Sequence, residues 1–277
     1  MDFFANMSPR GRRSALAVGM LAVLLLSTAA AWLITLGRSG ARPGEQWYLI
    51  RGVDGTPVGW EVFQRDADDR QGYHIVGGRQ SPPLASRWRL DADPTVGRYV
   101  SSVPIAANRR GVVYQVTAIG YDGKTVKLRQ YNAVGAARGQ VRTVLQWVDD
   151  SYIPEGRLRE VVAEVARSGE QVLRTIVNDD QLQVVPMTLS PGEDVQRVVG
   201  GTARTLTPVE VAYELKATDG PSSRYYVAAD GSILLQEQIT GDAVTGIVEL
   251  LTGEAVTDSF PSAPAERTRA LRALDWD

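Results

Sequence analysis

Residues 209–240 read VEVAYELKATDGPSSRYYVAADGSILLQEQIT. Val209 and Val211 begin an alternation of apolar and polar residues, the period of two that predicts a strand with one buried face. Asp219-Gly220 and Asp230-Gly231 interrupt the pattern, and Asp-Gly is a favoured pair in tight hairpin turns. The stretch therefore predicts three antiparallel strands joined by short turns.

The same combination of alternating strands and Asp-Gly turns occurs earlier in the chain. Residues 111–131 contain Asp122-Gly123 between two alternating segments, and residues 46–65 contain Asp54-Gly55 in the same position. A meander that recurs in this way predicts a mainly β fold, with a curved antiparallel open sheet or half-barrel.

Residues 155–168 follow a different period. Pro154 precedes this segment, Gly169 follows it, and its apolar residues recur at i, i+3, i+4 and i+7: Leu158, Val161, Val162 and Val165. This spacing predicts one amphipathic helix with a charged back, which we expect to lie on the sheet or to plug an opening in it.

Residues 14–37 form a nearly unbroken apolar run without a charge. As a helix the run would reach about 35 Å, enough to cross a hydrocarbon core of about 30 Å. Arginines in residues 1–13 form a positive segment before it, the order expected of a signal anchor. We expect a single transmembrane helix in the cell membrane, with the C-terminal domain outside the cytoplasm.

A cleaved signal is the alternative interpretation of the same run. Ala29 and Ala31 form an A-x-A pattern, and cleavage near Ala31 would release a secreted protein. Residues 32–36 continue the apolar run beyond that point, which favours a retained anchor.

The sequence divides into five segments: a cytoplasmic segment (1–13), the transmembrane anchor (14–37), a linker (38–45), the β domain (46–260) and a C-terminal tail (261–277), which we expect to contain a short helix from Ala265. The chain has no cysteine, so disulfides and a lipidated cysteine are excluded. A net charge of −2 argues against nucleic acid as a partner.

The sequence shows no constellation of catalytic residues. The only histidine, His74, lies in a predicted strand without an acid and nucleophile pattern around it, and we expect a solvated or edge position for it. Paired aspartates, such as Asp149-Asp150, lack the spacing of a calcium loop and are typical of turns. We therefore predict a protein that is not an enzyme and that has no metal or cofactor. Catalysis by carboxylates alone would require two close acids with raised pKa values.

Aromatic residues in the predicted strands are the candidates for binding. If a subset lies on the concave face of a curved sheet, it would line an apolar groove suited to a lipid, an acyl chain or an extended peptide. The candidate groove residues are Trp47, Trp60, Trp88, Tyr114, Trp147 and Tyr213.

Three segments carry a resemblance to a known superfamily. Residues 47–50 read WYLI, residues 55–60 read GTPVGW, and residues 225–234 read YYVAADGSIL. Across about residues 46–260 this layout resembles bacterial envelope proteins of the lipoprotein-localisation-factor-like half-barrel superfamily. The resemblance implies a curved sheet capped by helices, whose hollow holds acyl chains or lipoproteins. A retained membrane anchor departs from the soluble carriers of that superfamily and favours a fixed role.

Two functions are consistent with these features. The first is a membrane-anchored extracytoplasmic protein that binds an apolar or lipidated ligand, a lipid or a lipoprotein, in a concave sheet. The second is a non-catalytic scaffold with a filled core, which holds another envelope protein by its strand edges or by the outer face of the sheet. A hollow lined by aromatics would favour the first function, and a packed interior the second.

Overall fold

The computed structural model describes residues 44–66, 71–79, 83–90, 97–108, 111–134, 137–139, 141–178, 182–214 and 222–273. The predicted anchor, the alternative cleavage near Ala31 and the Asp219-Gly220 turn lie outside the described residues. Within the described part, no helix has the length and apolar character that a membrane span requires.

The described residues form a long antiparallel sheet. Its strands are β1 (Glu45–Arg51), β2 (Pro57–Arg65), β3 (Gln71–Gly78), β4 (Leu84–Leu90), β5 (Gly97–Asn108), β6 (Gly111–Tyr121), β7 (Thr125–Val134), β8 (Ala137–Arg138), β9 (Arg142–Trp147), β10 (Val172–Asn178), β11 (Gln183–Pro191), β12 (Val195–Val199), β13 (Thr202–Tyr213), β14 (Ser222–Val227), β15 (Ile233–Thr240) and β16 (Ala243–Leu251).

The order of the strands shows how two meanders combine. The sheet runs β10-β11-β13-β14-β15-β16-β1-β2-β3-β4-β5-β6-β7-β8, with β12 paired to β13 and β9 paired to β7. Strand β16 pairs with β1, so the last strand joins the C-terminal meander to the first strand of the N-terminal one. The mainly β, antiparallel character predicted from the sequence is confirmed.

The predicted turns form as Asp-Gly chemistry requires. Gly55, Gly123 and Gly231 have φ angles of 79°, 91° and 86°, a left-handed conformation that glycine adopts without a steric penalty. Asp122 accepts hydrogen bonds from the side chain and backbone of Thr125, and these bonds lower the pKa of its carboxyl group.

Helix α1 (Leu158–Ser168) follows a 3₁₀ turn (Glu155–Arg157) in the place that the periodicity predicts. It ends at Gly169, whose φ of 70° and N–H bond to Val165 O close the last turn. Its apolar stripe packs against β11, β13 and β14 in a cluster that includes Ile176, Met187 and Val209. The helix is thus held against the sheet by burial of its apolar face.

A second cluster lies farther along the inner side of the sheet, which is the face that α1 covers. Side chains from many strands meet there: Tyr48, Phe63, Trp88, Ile119, Tyr121, Val126, Leu128, Tyr152, Val177, Leu182 and Val248. The rings of Tyr121 and Tyr152 lie 4.7 Å apart between centroids, which joins β6 to the segment after β9. Among the described residues, two clusters of buried side chains therefore lie on the face that α1 covers.

Two further helices, α2 (Gly253–Ser259) and α3 (Ala263–Ala273), pack on the other face of the sheet. The prediction of one packed helix is therefore wrong in number. Helix α2 contacts β1 and helix α3 contacts β3 and β4, so residues 263–273 of the predicted tail form a helix that packs on the sheet. The physical reason is that this face also carries large apolar side chains that need a cover: Trp47, Leu49, Trp60, Val62 and Ile75 are buried.

Candidate interaction site at the open edge of the sheet

The five candidate groove residues whose side chains are described do not share one surface. Trp47 and Trp60 share a face, with ring centroids 5.8 Å apart, and both are fully buried. Trp88 lies on the opposite face, because Trp60 pairs with Gly77 and Trp88 with Gly72, five residues apart on the same strand. The structure therefore separates Trp88 from the Trp47–Trp60 pair.

The other three candidates lie at different places in the sheet. Tyr213 is partly buried against the cluster under α1. Tyr114 lies on β6, and its side chain is outside what the structure describes. Trp147 lies on β9 and is 77% exposed. Of the five candidates whose side chains the structure describes, Trp147 is the one that is mostly exposed.

The buried tryptophans occupy space left by glycines on the neighbouring strand. A Cβ atom added at Gly77 would lie 2.3 Å from the ring of Trp60, and one added at Gly72 would lie 2.2 Å from the ring of Trp88. Because each ring lies directly against the glycine backbone, Trp60 and Trp88 have a packing role in the sheet.

A cluster of buried charged and aromatic side chains connects α1 with β1 and β2. Arg159 forms an ion pair with Glu61 and donates a hydrogen bond to the hydroxyl group of Tyr48 at 2.6 Å. Its guanidinium carbon lies 4.4 Å from the ring centroid of Phe63 and 4.7 Å from that of Tyr48. Sequence reasoning missed this cluster because its members are far apart in the chain.

His74 also belongs to this cluster. Its Nε2 atom lies 3.1 Å from Glu61 Oε1, at ion-pair distance but without hydrogen-bond alignment. Burial raises the pKa of Glu61, but the charges of His74 and Arg159 outweigh burial and leave that pKa below its ordinary value. Of the two positions expected for His74, the edge position is wrong, since β3 lies between β2 and β4, whereas its side chain is partly solvated, at 31% exposure.

A cleft of about 450 Å³ lies beside α1. Its walls carry both signs of charge, from Arg65, Arg159, Arg167, Glu160, Glu164 and Asp230. Glu160 already pairs with Arg157 at 2.9 Å. A charged lining of this kind suits a polar ligand better than an acyl chain.

The most distinctive surface is the open edge of β9. This strand pairs with β7 along one side, and none of the described strands pairs with its other side. Val148 N–H bonds to Lys124 O, and Val148 has the same parity as residues 142, 144 and 146, so these residues direct their backbone groups toward β7. Thr143, Leu145 and Trp147 therefore direct their N–H and C=O groups toward the open edge.

Apolar side chains accompany these unpaired backbone groups. Leu145 is 60% exposed and Val141 is 45% exposed, in the same row as Trp147. A cavity of about 600 Å³ adjoins the end of the strand, between Trp147 and Gln146 on one side and Thr175 and Val184 on the other. A free edge flanked by exposed apolar side chains is a template for another strand.

The strand at the opposite end of the sheet, β10, has part of its edge covered. Thr175 of β10 donates its N–H to Ser151 O and accepts from Ile153 N–H, each at 2.9 Å, so the segment after β9 covers part of the β10 edge. Tyr152 in this segment is buried. The described residues thus protect part of the β10 edge. They give β9 no strand partner on its second side, where the contact with β11 is a hydrogen bond from Val184 N–H to the side chain of Gln146 at 2.6 Å.

The sequence contains a partial signal for this site. Residues 141–147, VRTVLQW, carry apolar side chains on both faces of the strand. Val144 faces the inner cluster, and Leu145 faces outward. Apolar residues on both rows indicate a strand covered on both faces. The sequence alone does not predict that the outward-facing side chains of β9 have no other element packed on them within the described domain.

Comparisons with known proteins bear on the fold alone. No protein-family model matches the chain, and no curated protein matches it. The fold is similar to the crystal structure of a β-barrel-like protein of the domain of unknown function DUF1849 from Brucella abortus. That match has 13% sequence identity and a TM-score of 0.50, and covers 75% of this chain and 95% of the other.

This likeness supports a β-barrel-like fold for the described domain. It does not confirm the resemblance to the lipoprotein-localisation-factor-like superfamily, which stays a prediction. The protein from Brucella abortus is described as having unknown function, so the comparison supplies no ligand or partner.

Proposed function

We propose that this protein is a non-enzymatic interaction module of the bacterial envelope, which holds an extended polypeptide segment along the open edge of β9. The observation that carries the proposal is the exposure of Trp147 and Leu145 beside backbone groups that no described strand pairs. This is the second of the two functions predicted from the sequence, with the strand edge now specified.

Addition of a strand to a sheet edge is a general mode of peptide recognition. Backbone hydrogen bonds supply affinity in this mode, and alternate side chains supply specificity. Here Thr143, Leu145 and Trp147 would provide the backbone donors and acceptors, while the rings and aliphatic groups of the outer row would contact every second residue of the bound segment.

The packing of the interior supports this choice over an internal lipid site. The two inner clusters occupy the space under α1 and along β6 and β7, and Trp88 is a packed member of one of them. The cleft beside α1 has charged walls. An apolar or lipidated ligand finds better support at the exposed row of β9 than inside the sheet.

The apolar run in the sequence supports the proposed location. Residues 14–37 would hold the domain at the cell membrane. The domain would then work on the extracytoplasmic side of that membrane. A phosphatase fused to the C-terminus is expected to be active, and a cytosolic reporter fused there inactive.

Site-specific photo-crosslinking in cells tests the proposed site. A photoreactive amino acid at position 147 is expected to join the protein to a polypeptide that mass spectrometry can identify. The same amino acid at position 53, where Val53 is 70% exposed in a turn, serves as the control and is expected to give no such product.

A second variant links the product to strand pairing. Leu145→Pro removes an N–H group that faces the open edge and leaves the bonds between β9 and β7 at neighbouring positions. It is expected to abolish the product formed from position 147. A product that persists in this variant, or that forms equally from positions 53 and 147, would contradict the proposal.

A further inference from the structure

We infer that the polypeptide held at this edge is a second copy of the same chain, whose β9 strand pairs antiparallel with the first across a two-fold axis at Gln146. This inference rests on the proposed function and specifies its partner. It follows from the side chains, charges and backbone directions of residues 141–150.

The backbone directions determine which residues can face one another. In an antiparallel pair, residues that direct their N–H and C=O groups toward the partner lie opposite residues that do the same. An axis at Gln146 places Leu145 of each copy opposite Trp147 of the other. It places Thr143 opposite Asp149, which lies beyond the end of β9 and whose C=O already accepts a hydrogen bond from Tyr152 N–H. Leu145 and Trp147 are the two most exposed apolar side chains of β9, and they would form cross-strand pairs on the outer face. The two-fold axis makes this pair twice, so both side chains are covered in each copy.

The charges of the segment select the same arrangement. Arg142 begins β9, and Asp149 and Asp150 follow its end. All three are exposed, and the described residues give Arg142 and Asp150 no ion-pair partner. The two-fold axis brings Arg142 of each copy to the aspartates of the other, whereas parallel pairing would place Arg142 beside Arg142.

The composition and regular pairing of β9 are compatible with a partner strand at its edge. Free edges in natural proteins are commonly blocked by lysine, proline or bulges. Residues 142–147, RTVLQW, contain neither lysine nor proline, and their pairing with β7 runs without a bulge. A cavity of about 600 Å³ adjoins the end of β9 beside Trp147, and on its far side Val184 N–H donates a hydrogen bond to Gln146 Oε1 at 2.6 Å.

Charge reversal with restoration tests the inference on the purified full chain in detergent, with mass measured by sedimentation. Arg142→Glu and Asp150→Arg are each expected to weaken dimerisation by roughly tenfold, because every dimer contains two of these contacts. The combined variant Arg142→Glu/Asp150→Arg restores opposite charges and is expected to recover the dimer. Arg204→Glu, at an exposed arginine of β13, is the matched control and is expected to leave dimerisation unchanged.

Cysteine crosslinking tests the register, and the cysteine-free chain provides a clean background. Leu145 and Trp147 would face each other at about 5.5 Å between Cα atoms, within disulfide range. Co-expressed Leu145→Cys and Trp147→Cys chains are expected to form a mixed disulfide. Neither variant alone is expected to crosslink, since equal positions would lie more than about 7 Å apart.

The outcomes separate this inference from the proposed function. A chain that stays monomeric, or a dimer that Arg142→Glu and Asp150→Arg leave unchanged, overturns the inference. If the photoreactive group at position 147 then captures a different protein, the proposed function stands with another partner. If it captures nothing, both fail.

Discussion

Glu61→Gln tests how the structure fastens α1 to the sheet. The substitution keeps the shape of the side chain and removes the negative charge that faces Arg159 and His74. The side chains of Glu61 and Arg159 are only 6% and 14% exposed, so water cannot replace the lost partner. Arg159 would keep its bond to Tyr48 but would carry an uncompensated charge.

The expected loss follows from the burial of this pair. Removal of one partner of a buried ion pair costs about 3–5 kcal/mol, and the remaining contacts of Arg159 place the expectation near the lower value, about 3 kcal/mol. For a domain of this size, each kcal/mol shifts the melting temperature by about 2–4 °C. We therefore expect the melting temperature to fall by roughly 6–12 °C.

Thermal melting followed by circular dichroism measures the effect. Glu210→Gln is the matched control, because Glu210 pairs with Arg224 at 3.3 Å on the surface and is 47% exposed. A surface pair of this kind contributes at most about 1 kcal/mol. Arg159→Met added to Glu61→Gln removes the uncompensated charge, so the double variant is expected to lose less than the two single losses combined.

The pH dependence of the Glu61→Gln effect has a definite sign. The pKa of Glu61 is lower in the folded protein than in the unfolded chain. Its ionised form therefore stabilises the fold above the unfolded pKa of about 4.3, and this contribution is lost as the pH falls through the folded value. The stability gap between wild type and Glu61→Gln should be full at pH 7 and should narrow in acid. Equal melting temperatures for Glu61→Gln and Glu210→Gln at pH 7 would show that the buried pair stabilises the fold no more than a surface pair does.

Three further predictions concern buried contacts in the domain. Gly77→Ala would force a methyl group against Trp60 and is expected to cost about 1–3 kcal/mol, whereas Gly120→Ala, which meets nothing within 4 Å, should change little; urea unfolding compares the two. Trp60→Ala is expected to cost about 3–5 kcal/mol, whereas Trp147→Ala, at an exposed site, should leave the monomer's stability within about 0.5 kcal/mol; equal losses would contradict the assignment of Trp147 to the surface. Arg267→Ala removes the buried ion pair with Glu45 and is expected to expose α3 to limited proteolysis, and unchanged protection would show that this pair does not hold the helix.

Local features of the fold follow directly from the sequence. The alternation at Val209 and Val211, the Asp-Gly turns and the periodic stripe of α1 each depend on residues close together in the chain. These features are confirmed where the structure describes them. The pairing of β16 with β1 joins residues about 200 positions apart, and no local pattern specifies it.

The candidate site was less accessible to sequence reasoning for the same reason. A tryptophan in a strand has the same local pattern whether it is buried like Trp60 or exposed like Trp147. The difference arises from α2 and α3, which pack on the sheet that contains Trp60, and from the position of β9 at the end of the strand order. The ion pair between Glu61 and Arg159 likewise depends on where α1 docks.

The open edge of β9 can be tested by amide hydrogen exchange, resolved residue by residue, in the purified full chain at low and high concentration. At low concentration the amides of residues 144 and 146 should be protected by β7, while those of 143, 145 and 147 exchange rapidly. At high concentration the second set should become protected as the edge is paired. Slow exchange of residues 143, 145 and 147 in the dilute monomer would contradict an edge that is free in the monomer. Rapid exchange of these residues at every concentration and with every captured partner would contradict an edge that is paired in the complex.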